Sequence, residues 1–218
     1  MKLGLVMGLG EGGRVNIDMD LIREAEDLGF DSVWSSEAWG SDAISTASWV
    51  LAQTSKIKVG TGIIQMSART PAMAAMTAMT LQHLSNDRFI LGIGPSGPQV
   101  IEGWHGMPYG RPLTRTREYI EIIRKIEARE GPLTHDGYHY QIPKTGEGTT
   151  NLGKPLKGIL HSPARLKIIT GTIAPAGVRV SAEIADGMIP VFMNPDRFDV
   201  FEDALNDGFA KAGGGKSL

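Results

Sequence analysis

Gly60-Thr61-Gly62-Ile63-Ile64-Gln65-Met66-Ser67-Ala68-Arg69-Thr70-Pro71 closes an apolar run, Ile57 to Ile64, and opens a segment, Ala72 to Leu84, with apolar residues at helical spacing. Strand, polar loop and helix follow one another, and the same order recurs on both sides. Upstream, Lys2 to Leu9 precedes Ile17 to Leu28, where Leu21, Ile22, Ala25 and Leu28 share a helical face, and Ser32 to Ser35 precedes Ser41 to Thr54. Downstream come Phe89 to Ile93 with Arg115 to Arg129, Leu166 to Thr170 with Val178 to Ala185, and Met188 to Phe192 with Pro195 to Ala212. Six βα units in sequence imply parallel strands joined by right-handed crossovers, which build either a doubly wound open sheet or a closed barrel. Periodicity leaves both open.

The bulk numbers frame that reading. With 218 residues, 41% hydrophobic and 21% charged, the chain is expected to be one ordinary soluble domain, 1–218. A formal charge of -2 with interspersed signs offers no basic face for nucleic acid. The chain has no cysteine, which removes disulfides and thiolate chemistry, and Met1-Lys2 leads into a strand-like run without a signal-peptide core. These features point to a reducing cytoplasm and away from a membrane. The segment 131–164 is long, rich in Gly, Pro, Thr and His and without clear periodicity; it reads either as a lid over the site or as a tolerated surface insertion.

Several motifs mislead. Gly92-Ile93-Gly94-Pro95-Ser96-Gly97 matches G-x-G-x-x-G, but Pro98 follows at once and the motif lies in the fourth unit, so a dinucleotide fold is not expected. Gly213-Gly214-Gly215-Lys216-Ser217 lacks the leading glycine of a phosphate loop, since Ala210 stands there, and reads as a helix stop. His135 and His139 have i,i+4 spacing with Gly137 between them and no adjacent carboxylate, so no metal site is expected. Met73, Met76 and Met79 form a helical stripe best explained as core.

In parallel barrels chemistry collects where the strands end. Ser36 to Asp42, Gly60 to Pro71 and Gly92 to Gln99 fall there, dense in small and polar residues beside apolar ones, and suit a flat aromatic ring approached by backbone. At Ser36 to Ala43, Gly60 to Pro71, Leu84 to Gly97 and Ala182-Glu183-Ile184-Ala185-Asp186-Gly187, the sequence resembles the bacterial luciferase-like superfamily. The likeness is to its branch of oxidoreductases dependent on coenzyme F420, an 8-hydroxy-5-deazaflavin.

The resemblance implies a parallel (β/α) TIM-type barrel, here apparently incomplete because six of eight units are visible and the chain stops before strands seven and eight. It implies a cis peptide and bulge at Gly62-Ile63 behind the deazaflavin ring, with Glu37 near the ring and Ser67 and Thr70 near its tail. Gly92, Gly94 and Ser96 would line the fourth strand, and Thr172, Ala174 and Pro175 would receive the cofactor phosphate at a helix N-terminus. Relatives commonly carry Gly-Pro where this chain has Ala174-Pro175. Ala38 and Pro95 stand where sugar-phosphate dehydrogenases of the family place a histidine and a glutamate, so that acid/base pair is absent. Glu37, Asp42 and His105 remain as proton carriers, each with a structural alternative: ring-face hydrogen bonding, helix capping and loop packing.

Three functions follow as expectations. The first is hydride transfer between the deazaflavin and a small organic substrate. The second keeps the barrel but uses FMN, as a monooxygenase or reductase. The third is a catalytically silent, truncated relative that binds a flavin or serves as scaffold. A homodimer or higher homo-oligomer is expected, with Ala72, Ala74, Ala75 and Ala78 permitting close helix approach.

Overall fold

Every expected strand is present and followed by its helix. The computed structural model describes residues 2–8 and 13–217. In chain order the elements are β1 (Gly4–Val6), α1 (Met19–Asp27), β2 (Ser32–Ser35), α2 (Ala43–Gln53), β3 (Lys58–Thr61), β4 (Ile64–Gln65), α3 (Pro71–Ser85) and β5 (Phe89–Gly94). Then follow α4 (Pro98–Ile101), α5 (Pro112–Ala128), β6 (His135–Asp136), β7 (Gln141–Ile142), β8 (Ile168–Gly171), α6 (Pro175–Ile184) and β9 (Gly187–Ile189). A 3₁₀ segment, Pro195–Phe201, runs into α7 (Glu202–Lys211).

The main sheet has the order β1-β2-β3-β5-β8-β9, with every neighbouring pair parallel. All of these strands therefore end at one edge. The sheet also curls. Gly62, just past β3, faces Ile189 of β9 although β5 and β8 stand between them: a Cβ built on Gly62 would lie 3.6 Å from the Ile189 Cδ1. The architecture is a parallel half-barrel of six strands wrapped by helices, with β1 and β9 as its outer strands among the described residues.

Alternation along the strands divides the side chains between two faces. Val33, Val59, Leu91, Ile93 and Ile168 point outward and are fully buried under the helices, forming the main core. Trp34, Ile169 and Ile189 point inward and are only half-buried. Trp34 lies over Gly60, whose Cβ would sit 2.1 Å from the indole, and donates from Nε1 to the Ser32 hydroxyl at 3.0 Å. Helix starts are set by side chains: Asp18, Asp42 and Thr70 accept from Leu21, Ser45 and Met73 amides, and Pro71 opens α3.

The structure corrects several expectations. Of the methionine stripe only Met79 is core; Met73 and Met76 are 54% and 60% exposed. Ala74, Ala75 and Ala78 instead pack inward against the sheet of their own chain. The run Ile57 to Ile64 is not one strand but β3 and β4 with a break between them. The segment 131–164 carries a small antiparallel pair, β6 with β7. The first strand is shorter than Lys2 to Leu9, and Leu9 lies outside the described residues, as does Leu218 at the far end. Gly213, Gly214 and Gly215 follow α7 with φ of 95°, 77° and 69°, the left-handed turn that stops a helix.

Candidate active site

The break between β3 and β4 is a one-residue bulge. Gly60 pairs with Ile90 and Ile64 with Ile93, so four steps on one strand oppose three on the other. Gly62-Ile63 occupies the excess and its peptide is cis. Thr61 repairs the ladder: its hydroxyl accepts from the Gly92 amide at 2.9 Å and donates to the Gly92 carbonyl at 2.8 Å. The Gly62 amide turns to the Ser35 carbonyl at 2.6 Å.

Three glycines on the next two strands make room for this detour. A Cβ on Gly92 would lie 1.7 Å from the Thr61 carbonyl oxygen. One on Gly94 would meet the Ile63 side chain at 2.9 Å, and one on Gly171 would meet it at 3.0 Å. Gly92 and Gly94 are thus required by the bulge itself. Gly62 differs: a Cβ there would find only ordinary contacts with Ile189, Ser35 and Trp34, and Gly62 and Ile63 stay half-buried on the inner face. Exposed backbone flanked by apolar side chains suits a planar ring, so these residues fit a flavin-like group.

At the mouth, one buried carboxylate organises the loops. Glu37 accepts a bidentate pair from Arg69 at 2.7 and 2.8 Å, the Gln65 amide at 3.0 Å and the Ala43 amide at 3.1 Å. With four donors on two oxygens it clamps the β2 loop, the bulge exit and α2 together. Asp42 caps α2 through the Ser45 amide and also pairs with Arg69. Burial pushes its carboxyl up, but the Ser45 bonds and the Arg69 guanidinium outweigh that and hold it below the usual range. Gln65, fully buried, donates to the Ala38 carbonyl at 2.7 Å, so its amide oxygen accepts from His105 Nε2 at 2.5 Å.

Beside this clamp lies a cavity of about 630 Å³, bordered by Ser67, Arg69, Thr70, His105, Arg115 and His139. Arg115 of α5 is 6% exposed; it donates to Ser67, to the Pro108 carbonyl at 2.8 Å and to His139 Nδ1 at 3.2 Å. Burial and the Arg115 charge push His139 below its ordinary value, which leaves the imidazole neutral and able to accept. Tyr138 and Tyr140 form a further wall. They are fixed by Glu118, whose carboxylate accepts the amides of Tyr138, His139 and Tyr140 at 2.9, 2.9 and 3.0 Å. The 131–164 segment is therefore tied to α5 and walls this cavity.

The remaining candidates sit along the same edge. Ser96 has a φ of 57°, and its carbonyl accepts from the Tyr109 hydroxyl at 3.1 Å. Gly94 and Thr172 share a small cleft of about 30 Å³. Ala174 and Pro175 are exposed at the start of α6, which has no side-chain cap. Two groups thus emerge, one around the bulge (Gly62, Ile63, Gly92, Gly94) and one at the mouth (Glu37, Asp42, Ser67, Thr70, His105), with the α6 residues beside the first. No group of three or more His, Asp or Glu side chains suited to a metal ion occurs among the described residues.

Sequence reading did not single out Gln65, Arg115 or Glu118; it took Arg69 only as part of the loop near the cofactor tail and weighed His139 only as a metal ligand. Arg115 and Glu118 share the helical face of Tyr119 and Ile122, all buried in α5. Charges on an apolar stripe were the available signal. The Glu183 and Asp186 of the fourth family mark turn out to be structural: Glu183 pairs with Arg117 at 2.9 and 2.5 Å, and Asp186 accepts from Arg124 and the Ile168 amide.

Comparison with known proteins gives the family and the fold. A family described as "Luciferase-like monooxygenase" matches residues 6–217. The chain is 48% identical, over its full length, to "Putative coenzyme F420-dependent oxidoreductase Rv3520c" of Mycobacterium tuberculosis, covering 63% of that protein. It is 29% identical over 193 residues to the 5,10-methylenetetrahydromethanopterin reductase of Archaeoglobus fulgidus, covering 54% of it. The chain thus spans between about half and two thirds of these curated relatives. Its fold matches the coenzyme F420-dependent tetrahydromethanopterin reductase of Methanopyrus kandleri, with a TM-score of 0.77 and 24% identity over 98% of this chain and 62% of that one. It also matches an F420-dependent secondary alcohol dehydrogenase, with a TM-score of 0.79 and 19% identity over 98% of this chain and 65% of that one.

Proposed function

For a chain that belongs to the luciferase-like monooxygenase family, we propose the role of the coenzyme-holding part of an F420-dependent oxidoreductase acting on a small organic molecule. The observation that carries this reading is the bulge at Gly62-Ile63, whose backbone stays half-buried while Gly92, Gly94 and Gly171 yield to it. The names of the relatives supply the deazaflavin. Gly62 and Ile63 would back the ring, with Trp34 and Ile189 beside them; Ser67 and Thr70 would border its tail. Thr172, Ala174 and Pro175 would meet the phosphate, where the α6 amides and helix dipole favour an anion.

When bound, the deazaflavin supplies hydride chemistry. The chain's own residues position and exclude water. Glu37 holds Arg69 and the Gln65 backbone so that the loop from Met66 to Thr70 keeps one shape. With its oxygens taken by four donors, Glu37 is a positioning residue and not a proton carrier. Asp42 is likewise spent on its cap and on Arg69. His105 remains. Its Nε2 donates to Gln65, which orients the ring and leaves Nδ1 to hold or release a proton at the border of the cavity.

Titration with F420 and, separately, FMN, followed by absorbance and fluorescence, tests the reading. Saturable binding of F420 with weaker FMN binding is expected. Tighter FMN binding would move the chain to the flavin monooxygenases and reductases, and binding of neither would leave a scaffold. His105→Asn should lower turnover while F420 affinity holds; unchanged turnover would remove the proton role.

A further inference from the structure

The cavity beside the Glu37 clamp holds a charge that its surroundings do not balance. Arg69 and Arg115 both border it, and they differ in their partners. Arg69 faces Glu37 and Asp42, two carboxylates for one guanidinium. Arg115 has no carboxylate within 4.0 Å among the described residues; its partners are a serine hydroxyl, a backbone carbonyl and an imidazole. Its Nε is buried with no hydrogen-bond partner among the described residues. The one carboxylate near it in sequence, Glu118, is occupied by three hairpin amides.

A fixed cation that is 6% exposed and lacks a counter-ion is costly to hold, because burial removes water without returning an opposite charge. Such a site is completed by an anion. The other walls say what the anion is attached to. Met66, Met107, Pro108, Tyr138 and Tyr140 present apolar and aromatic surface to the same cavity, and its 630 Å³ lies within the range of pockets that take small organic ligands. Arg111 stands over the Tyr138 ring at 4.3 Å, adding a second positive charge next to that wall.

We propose that this cavity binds a small organic anion, its carboxylate or phosphate received by Arg115 and its apolar body lying between Met107 and the tyrosines of the β6-β7 segment. Ser67 and His139 hold the guanidinium in place for it. The proposal survives without the deazaflavin reading: the anionic group belongs to a substrate or, where that reading holds, to the acidic tail of the coenzyme beyond the phosphate placed at α6. The Ser67 to Thr70 wall is common to both.

Calorimetric titration with phenyl phosphate and with its neutral counterpart benzyl alcohol tests the site on the whole chain. Phenyl phosphate is expected to bind more tightly by roughly tenfold or more. Arg115→Gln should erase that preference. Because Arg115 also ties Ser67 to Pro108, a second variant acts from the exposed wall: Met107→Glu, at a residue 45% exposed, brings a competing carboxylate without touching those bonds and should erase the preference equally. Equal binding of the two probes, no binding of phenyl phosphate, or a preference that survives in Met107→Glu would overturn the proposal.

Titrating wild type and Met107→Glu with F420 and with the same deazaflavin lacking its acidic tail identifies the source. Loss of affinity for F420 alone assigns the anion to the coenzyme tail; loss for neither assigns it to the substrate. If F420 does not bind at all while phenyl phosphate does, the deazaflavin reading fails and the anion site stands.

Discussion

Gly62 and Gly92 lie on facing strands and are glycine for different reasons. A Cβ at Gly92 has nowhere to go, being 1.7 Å from a backbone carbonyl that the bulge holds in place, whereas one at Gly62 meets only contacts of 3.6 Å or more. Gly92→Ala should therefore cost about 3 kcal/mol of stability through overpacking, measured by denaturant titration. A loss under about 1 kcal/mol would show that the bulge can relax. Only part of this was legible in the sequence: the resemblance puts Gly62 in a bulge behind the ring and Gly92 along the fourth strand, and takes both as cofactor contacts. The difference arises from strand register, which a one-residue bulge alters without changing the apolar pattern of Ile57 to Ile64. Glu37 shows the converse: the resemblance places it near the ring, and geometry gives it four donors.

Among the elements, α5 and the β6-β7 segment form a unit through Glu118. Burial pushes this carboxyl up, but the three hairpin amides and His135 outweigh it, and the folded value is lowered. Such a shift contributes stability that is present above the unfolded value, 4.5, and is lost as pH falls through the lowered folded value. Hydrogen exchange at the amides of Tyr138, His139 and Tyr140 should thus stay slow down to pH 4.5 and lose its protection below that, as the carboxyl is protonated. In Glu118→Gln it should be fast even near neutrality, at a cost of about 2 kcal/mol. Equal protection in both proteins would mean that the segment is held by other contacts. Helix α3 shows where periodicity stops informing. It is apolar on two faces, one of alanines and one of methionines, and spacing cannot tell which meets the sheet; the smaller stripe does, since close packing on β5 needs it.

For the molecule as a whole, the alternation of strands and helices was enough to place the sheet, and the four family marks were enough to choose barrel over open sheet. The site was legible as loops and not as contacts, because Arg69, Arg115 and Glu118 act through pairings distant in sequence. Exposed Trp49 of α2 with Met73 and Met76 of α3 leaves an apolar surface on adjacent helices, a better basis for a homodimer than the inward alanines. Met73→Asp together with Met76→Asp should turn a dimer into monomers in sedimentation at micromolar concentration. A wild-type species of 23.4 kDa alone would remove that expectation. No helix is long and apolar enough to cross a membrane among the described residues.

The central claim is that the bulge backs a deazaflavin, and the measurement closest to it is F420 affinity in wild type and Gly62→Val, with the unfolding midpoint taken on the same samples. A Cβ at Gly62 meets no atom closer than 3.6 Å in the chain, so the midpoint should move little. The branched side chain of valine would intrude where the backbone must approach the ring, so affinity should fall by roughly tenfold or more. Equal affinity in the two proteins, with both folded, would contradict the account.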